Sequence, residues 1–375
     1  MRIGIEAQRI FRKKKRGMDV AAVQLIKGLQ EIDHKNEYFI FVSPNKNNDV
    51  IKETPNFRII EIEKSLYPWW ELVALPKAVK KYDIDVLHCT SNTAPLKCTA
   101  PVVLTLHDII YLQEISYTKG TWYQRFGNLY RRWNVPKIID KCDVICTVSD
   151  SENQNITNYF NFDNDRIQTI HNGVGKEFKE EKDEKKLLEV KSKYGLKKDF
   201  ILSLGNRDPR KNSKNIISAF HLLINSGYDI DLFLLDTSEE YVKSVSRKLD
   251  DPSLISRINC FDYLPSNDLP LIYSAAKIFL FPSLREGFGL PILESMGCGT
   301  PVVTSNVSSM PEVAGDSALL VNPYNPQSIY ESVRKLLDDS QLYNNLKTKG
   351  LERSKEFSWN NTAEKWLKVY NQFRN

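Results

Sequence analysis

Short apolar runs recur along the chain, each followed by a polar or glycine-bearing turn and then by a stretch with helical spacing. Runs at 2–7, 38–42, 57–62, 85–89, 101–106, 144–148 and 167–170 predict the strands of one sheet. Runs at 200–205, 231–235, 258–263 and 275–281, with another beginning at 300, predict a second. Between them, helical periodicity marks 19–32, where Val20, Val23, Leu25, Ile26 and Leu29 share a face. It also marks 67–82, 187–194, 215–224, 269–276, 326–337, 341–356 and 359–373. Strands that are apolar throughout, rather than alternating, belong to parallel sheets covered on both faces. Strand and helix in alternation therefore predict an α/β chain of Rossmann-like βα units.

Length adds that one core is not enough. A chain of 375 residues accommodates two domains, and the Lys- and Glu-rich stretch 176–198 reads as the crossing between them. Charge excludes little: 52 basic against 47 acidic residues leave +5, too mild for a nucleic-acid partner but tolerant of an acidic one or an anionic lipid surface. The six cysteines are scattered, and the nearest pair, Cys142 and Cys146, lies in a strand-like run without zinc spacing. Buried, reduced thiols and no metal site are expected. The chain opens directly on a strand and has no apolar run of about 18 residues. The expectation is a cytoplasmic protein, with contact to the inner face of the plasma membrane left open.

The most informative stretch is FPSLREGFGLPILESMGCGTPVVT, residues 281–304. Here a buried strand runs into the loop Glu286-Gly287-Phe288-Gly289, and a short helix starts at Pro291 and ends before Gly297 or Gly299. Strand, glycine turn and helix start together present free backbone N–H groups to an anion. Glu286 and Glu294 bracket this turn. A carboxylate would repel a phosphate but accepts two hydrogen bonds from a pair of neighbouring hydroxyls. An anion site flanked by two acids suits a ligand with a diphosphate centre and hydroxyl-rich ends, the shape of a sugar nucleotide. A second polar turn, Gly205-Asn206-Arg207-Asp208-Pro209-Arg210-Lys211-Asn212, adds three cations between a strand and a helix.

The string EGFGLPILESMGCGTPVV resembles the E-x7-E motif of retaining glycosyltransferases of family 4, with the two-domain GT-B fold. The resemblance implies two Rossmann-like domains facing a cleft, with the last helix crossing back to the first. It divides the chain into an acceptor-side domain at 1–175 with 357–375, and a nucleotide-sugar domain at 176–356. It gives Glu286 and the backbone of Gly287, Phe288, Gly289 and Leu290 to the donor sugar, and Glu294 to the ribose. The P-R-K-N string puts Arg210 and Lys211 on the donor diphosphate, with Arg207 as the alternative arginine, and the loop at Tyr263 near the base. Gly17 stands where the family has a glycine approaching the diphosphate, although one glycine is present where two are common. His107, at the end of a strand, matches the family's HD and would lie near the reacting sugar, as a proton-transfer or a positioning group. Asp236-Thr237-Ser238 replaces a glycine common in relatives and receives no phosphate role.

The resemblance implies a retaining, metal-independent hexosyltransferase with no cofactor, using a GDP- or UDP-linked sugar as co-substrate. The acceptor would be a glycan or a lipid-linked glycan of the cell surface. Stabilising the charge of the departing nucleoside diphosphate is then the main catalytic task. A nicotinamide dehydrogenase would need a G-x-G-x-x-G after the first strand, and residues 4–17 lack it. A sugar-nucleotide epimerase of the same fold and a non-catalytic binder of anionic ligands stay as alternatives. The latter would use Arg12-Lys13-Lys14-Lys15-Arg16 and the basic, aromatic stretch 120–140. That stretch is expected to form a solvated face over buried aromatics, with an amphipathic membrane-facing helix as the second option. The adjacent Trp69 and Trp70 suggest core plus an interface.

Overall fold

The computed structural model describes residues 1–12, 15, 17–44, 50–63, 66–113, 122–205, 208–262 and 264–374. The chain divides into two compact units, Met1–Gly173 with Ser358–Asn375, and Val174–Phe357.

The first unit is built on β1 (Arg2–Glu6), β2 (Glu37–Val42), β3 (Phe57–Glu61), β4 (Val86–Cys89), β5 (Val102–Thr105), β6 (Val144–Thr147) and β7 (Ile167–Thr169). They lie in the order β3-β2-β1-β4-β5-β6-β7, and every pair is parallel. The second unit holds β8 (Phe200–Leu204), β9 (Asp231–Leu235), β10 (Ile258–Phe261), β11 (Ile278–Phe281), β12 (Val302–Ser305) and β13 (Ala318–Val321). Their order is β10-β9-β8-β11-β12-β13, again parallel throughout. Central strands such as β4 and β11 are buried at every residue, as their unbroken apolar character requires.

Each sheet has one place where the winding reverses. In the first unit β1 lies between β2 and β4; in the second, β8 lies between β9 and β11. Loops leaving the carboxyl ends of β1 and β4, or of β8 and β11, part to opposite sides there and leave a crevice. The sequence motifs fall at these two places.

The last helix, Trp359–Tyr370, belongs to the first unit and packs along Gly17–Ile32. The contact is close because of Gly28, where a Cβ would stand 2.8 Å from the Trp359 carbonyl oxygen and 3.2 Å from the Ala363 Cβ. On the sheet side, the His88 ring stacks on Trp366 at 4.1 Å. Its two nitrogens lie 2.7 Å from the Tyr370 and Thr105 hydroxyls. Burial, with a smaller push from His107, lowers the His88 pKa to about 3, so the ring is neutral.

Two expectations need correction. The helix expected over 67–82 is not regular: Tyr67–Trp69 and Leu75–Lys81 are α-helical, and Trp70–Ala74 is a π turn. Pro76 offers no N–H and its ring would press on the carbonyl four residues back, which the wider turn relieves. The strand expected from 275 starts only at Ile278, because the preceding helix, Leu269–Ala275, occupies the first of those residues.

The packing predicts that Gly28→Ala, which adds one methyl against main-chain atoms, destabilises the first unit by about 1–3 kcal/mol. Urea unfolding followed by tryptophan fluorescence, which reports Trp359 and Trp366, should show the lowered midpoint.

Candidate functional site

The site of the second unit is assembled from the turn after β8 and the loop after β11. Asp208 starts the first: its carboxylate accepts from the Arg210 backbone N–H at 3.1 Å and opens a 3-10 turn, Pro209–Lys211. The same carboxylate receives the Arg210 guanidinium through Nε at 3.0 Å and Nη2 at 2.6 Å. Burial alone would raise the Asp208 carboxyl, but the Arg210 hydrogen bond and charge outweigh it and hold the pKa below its usual value. Asn212 ends the turn in the left-handed region, at φ 61°. Its buried amide donates to the Pro282 carbonyl at 2.9 Å and the Pro323 carbonyl at 2.7 Å. The Leu284 N–H adds a bond to the Arg210 carbonyl at 2.7 Å. The two loops are thus tied to each other.

This tie brings together residues 75 positions apart. Lys211 Nζ sits 2.8 Å from Glu286 Oε1, with side chains 21% and 15% exposed. The ammonium also lies 4.9 Å from the centre of the Phe281 ring. The Glu286 backbone is fixed by serines that follow β12. Its N–H donates to Ser308 Oγ at 3.2 Å, and its carbonyl accepts from Ser308 at 2.7 Å and Ser309 at 3.1 Å. Ser309 also donates to the Phe288 carbonyl at 2.7 Å, and Ser305 donates to that of Ser283 at 2.5 Å.

The helix Leu290–Gly297 starts from Gly289, whose φ of 107° disfavours any side chain. Its N-cap, Gly289, has no side chain to cap the first turn, and Pro291 stands in that turn, where its missing N–H costs nothing. Gly287 and Leu290 are half-buried at the same loop. Phe288 is buried and meets Phe357 edge-on at 6.0 Å, so its side chain anchors the loop in the core.

Glu294 lies one turn into this helix and accepts from the buried Tyr273 hydroxyl at 3.1 Å. Burial raises its pKa to about 7, and the Tyr273 bond offsets only part of that. Because the folded value exceeds the ordinary 4.5, ionising Glu294 costs stability. That cost grows as pH rises from about 4.5 to about 7. A group so placed accepts hydroxyl donors readily, since they relieve the penalty of holding charge there.

In the first unit, His107 is buried just beyond β5. Its Nε2 is 3.0 Å from the Thr90 carbonyl oxygen and its backbone N–H donates to Asn92 Oδ1 at 2.6 Å. A carbonyl can only accept, so Nε2 carries the proton and Nδ1 is an acceptor. Burial lowers the His107 pKa below the ordinary 6.5. The ring is therefore a neutral hydrogen-bond acceptor and a weak base. Gly17 is exposed at the start of Gly17–Ile32, with no atom near the position of an added Cβ. Nothing among the described residues requires glycine there. Arg207 and Tyr263 lie outside the described residues, as do Lys13, Lys14 and Arg16 of the basic loop.

Sequence reasoning missed the braces. Asn212 stands in the P-R-K-N string beside the cations but acts as a clamp, and Asp208 before Pro209 carries a helix-start signal. For Ser305, Ser308, Ser309 and Tyr273 no local signal exists.

The comparisons with known proteins agree with the fold. The family model described as "Glycosyl transferases group 1" matches residues 184–353, and "Glycosyltransferase Family 4" matches residues 15–178. O-antigen chain mannosyltransferase B of Escherichia coli is 32% identical over 324 residues, 83% of this chain and 80% of that protein. Serotype-specific mannosyltransferase WbdA of Escherichia coli is 36% identical over 229 residues, 60% of this chain, but the match spans only 28% of its own length. Among solved structures, Anabaena HepE in complex with UDP-glucose superposes with a TM-score of 0.77 at 16% identity, covering 99% of this chain and 100% of that one. Sucrose-phosphate synthase from Thermosynechococcus elongatus gives 0.75 at 18% identity, covering 99% and 98%. Two parallel-sheet Rossmann-like domains with a returning C-terminal helix are the GT-B fold expected from the motif. The chain belongs to the family 4, group 1 glycosyltransferases.

Proposed function

We propose that this protein is a retaining hexosyltransferase that takes a sugar from a GDP- or UDP-linked donor and attaches it to a glycan or lipid-linked acceptor in cell-surface polysaccharide synthesis. The mannosyltransferase names of its Escherichia coli relatives favour mannose as the sugar and an O-antigen-type chain as the acceptor. The observation that carries the reading is the Lys211–Glu286 pair at the winding reversal of the second sheet, beside a helix that starts from glycine.

In this reading the pair is a resting state. The donor diphosphate carries more negative charge than one carboxylate and draws Lys211 to its oxygens, while Glu286 turns to the sugar hydroxyls. Arg210, oriented by Asp208, supplies the second cation. As the bond from the anomeric carbon to the diphosphate oxygen breaks, these fixed charges meet the charge developing on the leaving group. Their chemistry supplies that stabilisation without calling on a metal ion. The acceptor hydroxyl bonds to the same face of the sugar and gives its proton to the departing phosphate oxygen. Glu294 accepts the ribose hydroxyls, and His107 positions a sugar hydroxyl through Nδ1.

Lys211→Ala is expected to lower kcat by about 10²–10³-fold with donor KM changed only a few-fold, measured with a radiolabelled donor sugar. A wild-type rate in this variant removes the leaving-group role, and nucleotide binding with no transfer by the wild type would favour a binding protein. NMR of the product is expected to show the donor's anomeric configuration, with the rate unchanged by EDTA.

The Glu294 pKa of about 7 sets a pH dependence. If hydroxyls bind the ionised form, nucleoside diphosphate affinity should rise about tenfold between pH 6 and pH 8 relative to Glu294→Gln. Calorimetry on both proteins isolates this from titration of the ligand, and parallel pH profiles would remove the ribose role.

A further inference from the structure

Of the two acids that bracket the glycine turn, Glu286 is paired with a cation and Glu294 is not. Glu294 is half-buried on the helix Leu290–Gly297, and the Tyr273 hydroxyl donates to its Oε2. Among the described residues Oε1 has no hydrogen-bond partner, and no Lys or Arg acts on the carboxylate. The other groups near it are the Glu177 carboxylate, whose like charge opposes ionisation, and the Cys298 thiol, one turn further on. Burial opposes ionisation as well. Of the described groups around Glu294, Tyr273 is therefore the one that favours the charged form.

The phenol can do this because both of its ends are fixed. Its ring is fully buried and meets Phe279 of β11 edge-on at 5.2 Å and Phe178 at 6.0 Å. Its backbone is tied to the helix that carries Glu294. The Thr300 hydroxyl donates to the Tyr273 carbonyl at 2.5 Å, and the Thr300 N–H donates to the Ser295 carbonyl at 3.1 Å. The Ser295 hydroxyl donates back to the Thr300 carbonyl at 3.0 Å. Tyr273 thus meets Glu294 with its hydroxyl and, through Thr300, the next residue with its main chain. If packing were its whole task, phenylalanine would fill the same space with no buried hydroxyl to satisfy.

We propose that Tyr273 is a positioning residue for the donor nucleotide, acting through Glu294: its hydroxyl holds one carboxylate oxygen so that the other is presented to a pair of ligand hydroxyls. The inference rests on the reading of Glu294 as the acid that takes the ribose. Removing the hydroxyl leaves burial and Glu177 unopposed, so the carboxyl, already raised to about 7, rises further. A protonated carboxyl turns one oxygen into a donor and accepts less well from two neighbouring hydroxyls. The loss of one hydrogen bond should therefore appear as a displaced pH dependence of nucleotide binding, which a residue that only fills space would not produce.

The test is calorimetric titration of GDP and UDP into the wild type, Tyr273→Phe, Glu294→Gln and the double variant, from about pH 6 to about pH 9. Phenylalanine keeps the ring contacts with Phe178 and Phe279, and circular dichroism checks that the variant folds. Referring each profile to Glu294→Gln removes titration of the nucleotide. Wild-type affinity is expected to rise with a midpoint near pH 7. In Tyr273→Phe the midpoint should move to about pH 8, so that binding is about fivefold weaker at pH 7 and nearly equal by about pH 9. In the Glu294→Gln background, adding Tyr273→Phe should leave the pH profile as it is. Without nucleotide, the unfolding temperature of Tyr273→Phe should go on falling between about pH 7 and about pH 8, where the wild type has levelled. A wild-type rise whose midpoint stays in place in Tyr273→Phe overturns the proposal. So does a loss of affinity of equal size at every pH, the mark of a loosened site. Parallel profiles in the wild type and Glu294→Gln are a different outcome: they overturn the ribose reading, and this inference with it.

Discussion

The side-chain amide of Asn212 is the point on which the candidate site of the second unit depends. Held between the carbonyl oxygens of Pro282 and Pro323, it joins the turn after β8 to the loops after β11 and β13. A buried amide in this position uses both N–H donors, and an apolar replacement would remove both, leaving the Pro323 carbonyl with Asn215 as its remaining donor. The left-handed backbone at Asn212 also ends the 3-10 turn and starts the helix Ser213–Asn225, so one residue sets both the direction of the chain and the spacing of the loops. Lys211 and Glu286 meet because this clamp and the serine braces leave their backbones little freedom.

The site's charges are arranged in pairs. Arg210 is held by Asp208, Lys211 by Glu286, and Glu294 is kept in a buried setting with a tyrosine hydroxyl as its partner. Half-buried charges without partners would pull against folding. In each ion pair the carboxylate holds its cation in place. Glu294 is the exception in degree: its burial raises the pKa towards neutrality, so that it is ready to accept hydrogen bonds that water supplies poorly there.

In the first unit the same economy of contacts appears at the C-terminal helix. Gly28 lets Trp359–Tyr370 approach Gly17–Ile32, and neutral His88 joins Tyr370 to Thr105 across the sheet. His88 and His107 are both buried and both lowered in pKa, yet they serve different ends. Both nitrogens of His88 are engaged by hydroxyls of the protein. His107 engages a backbone carbonyl through Nε2, which orients the ring.

Much of the architecture was legible in the sequence. Unbroken apolar strands, glycine turns and helical periodicity are local signals, and they predicted the parallel strands apart from β13, and most helices. The helix Glu239–Lys248 is less legible, because only Val242, Val245 and Ser246 are buried on an otherwise polar surface. The motif strings likewise marked Arg210, Lys211, Glu286 and Glu294 as chemically important. What local sequence could not contain is who meets whom. The Lys211–Glu286 contact, the serine braces and the hydrogen bond from the Tyr130 hydroxyl to Glu71 arise from residues far apart in the chain, and Phe126, Leu129 and Trp133 of the helix Trp122–Ile138 are exposed because the core takes another face of it. Spacing along the chain determines which side chains share a face; only three-dimensional packing decides whether that face is covered, and burial is what sets a carboxylate's pKa.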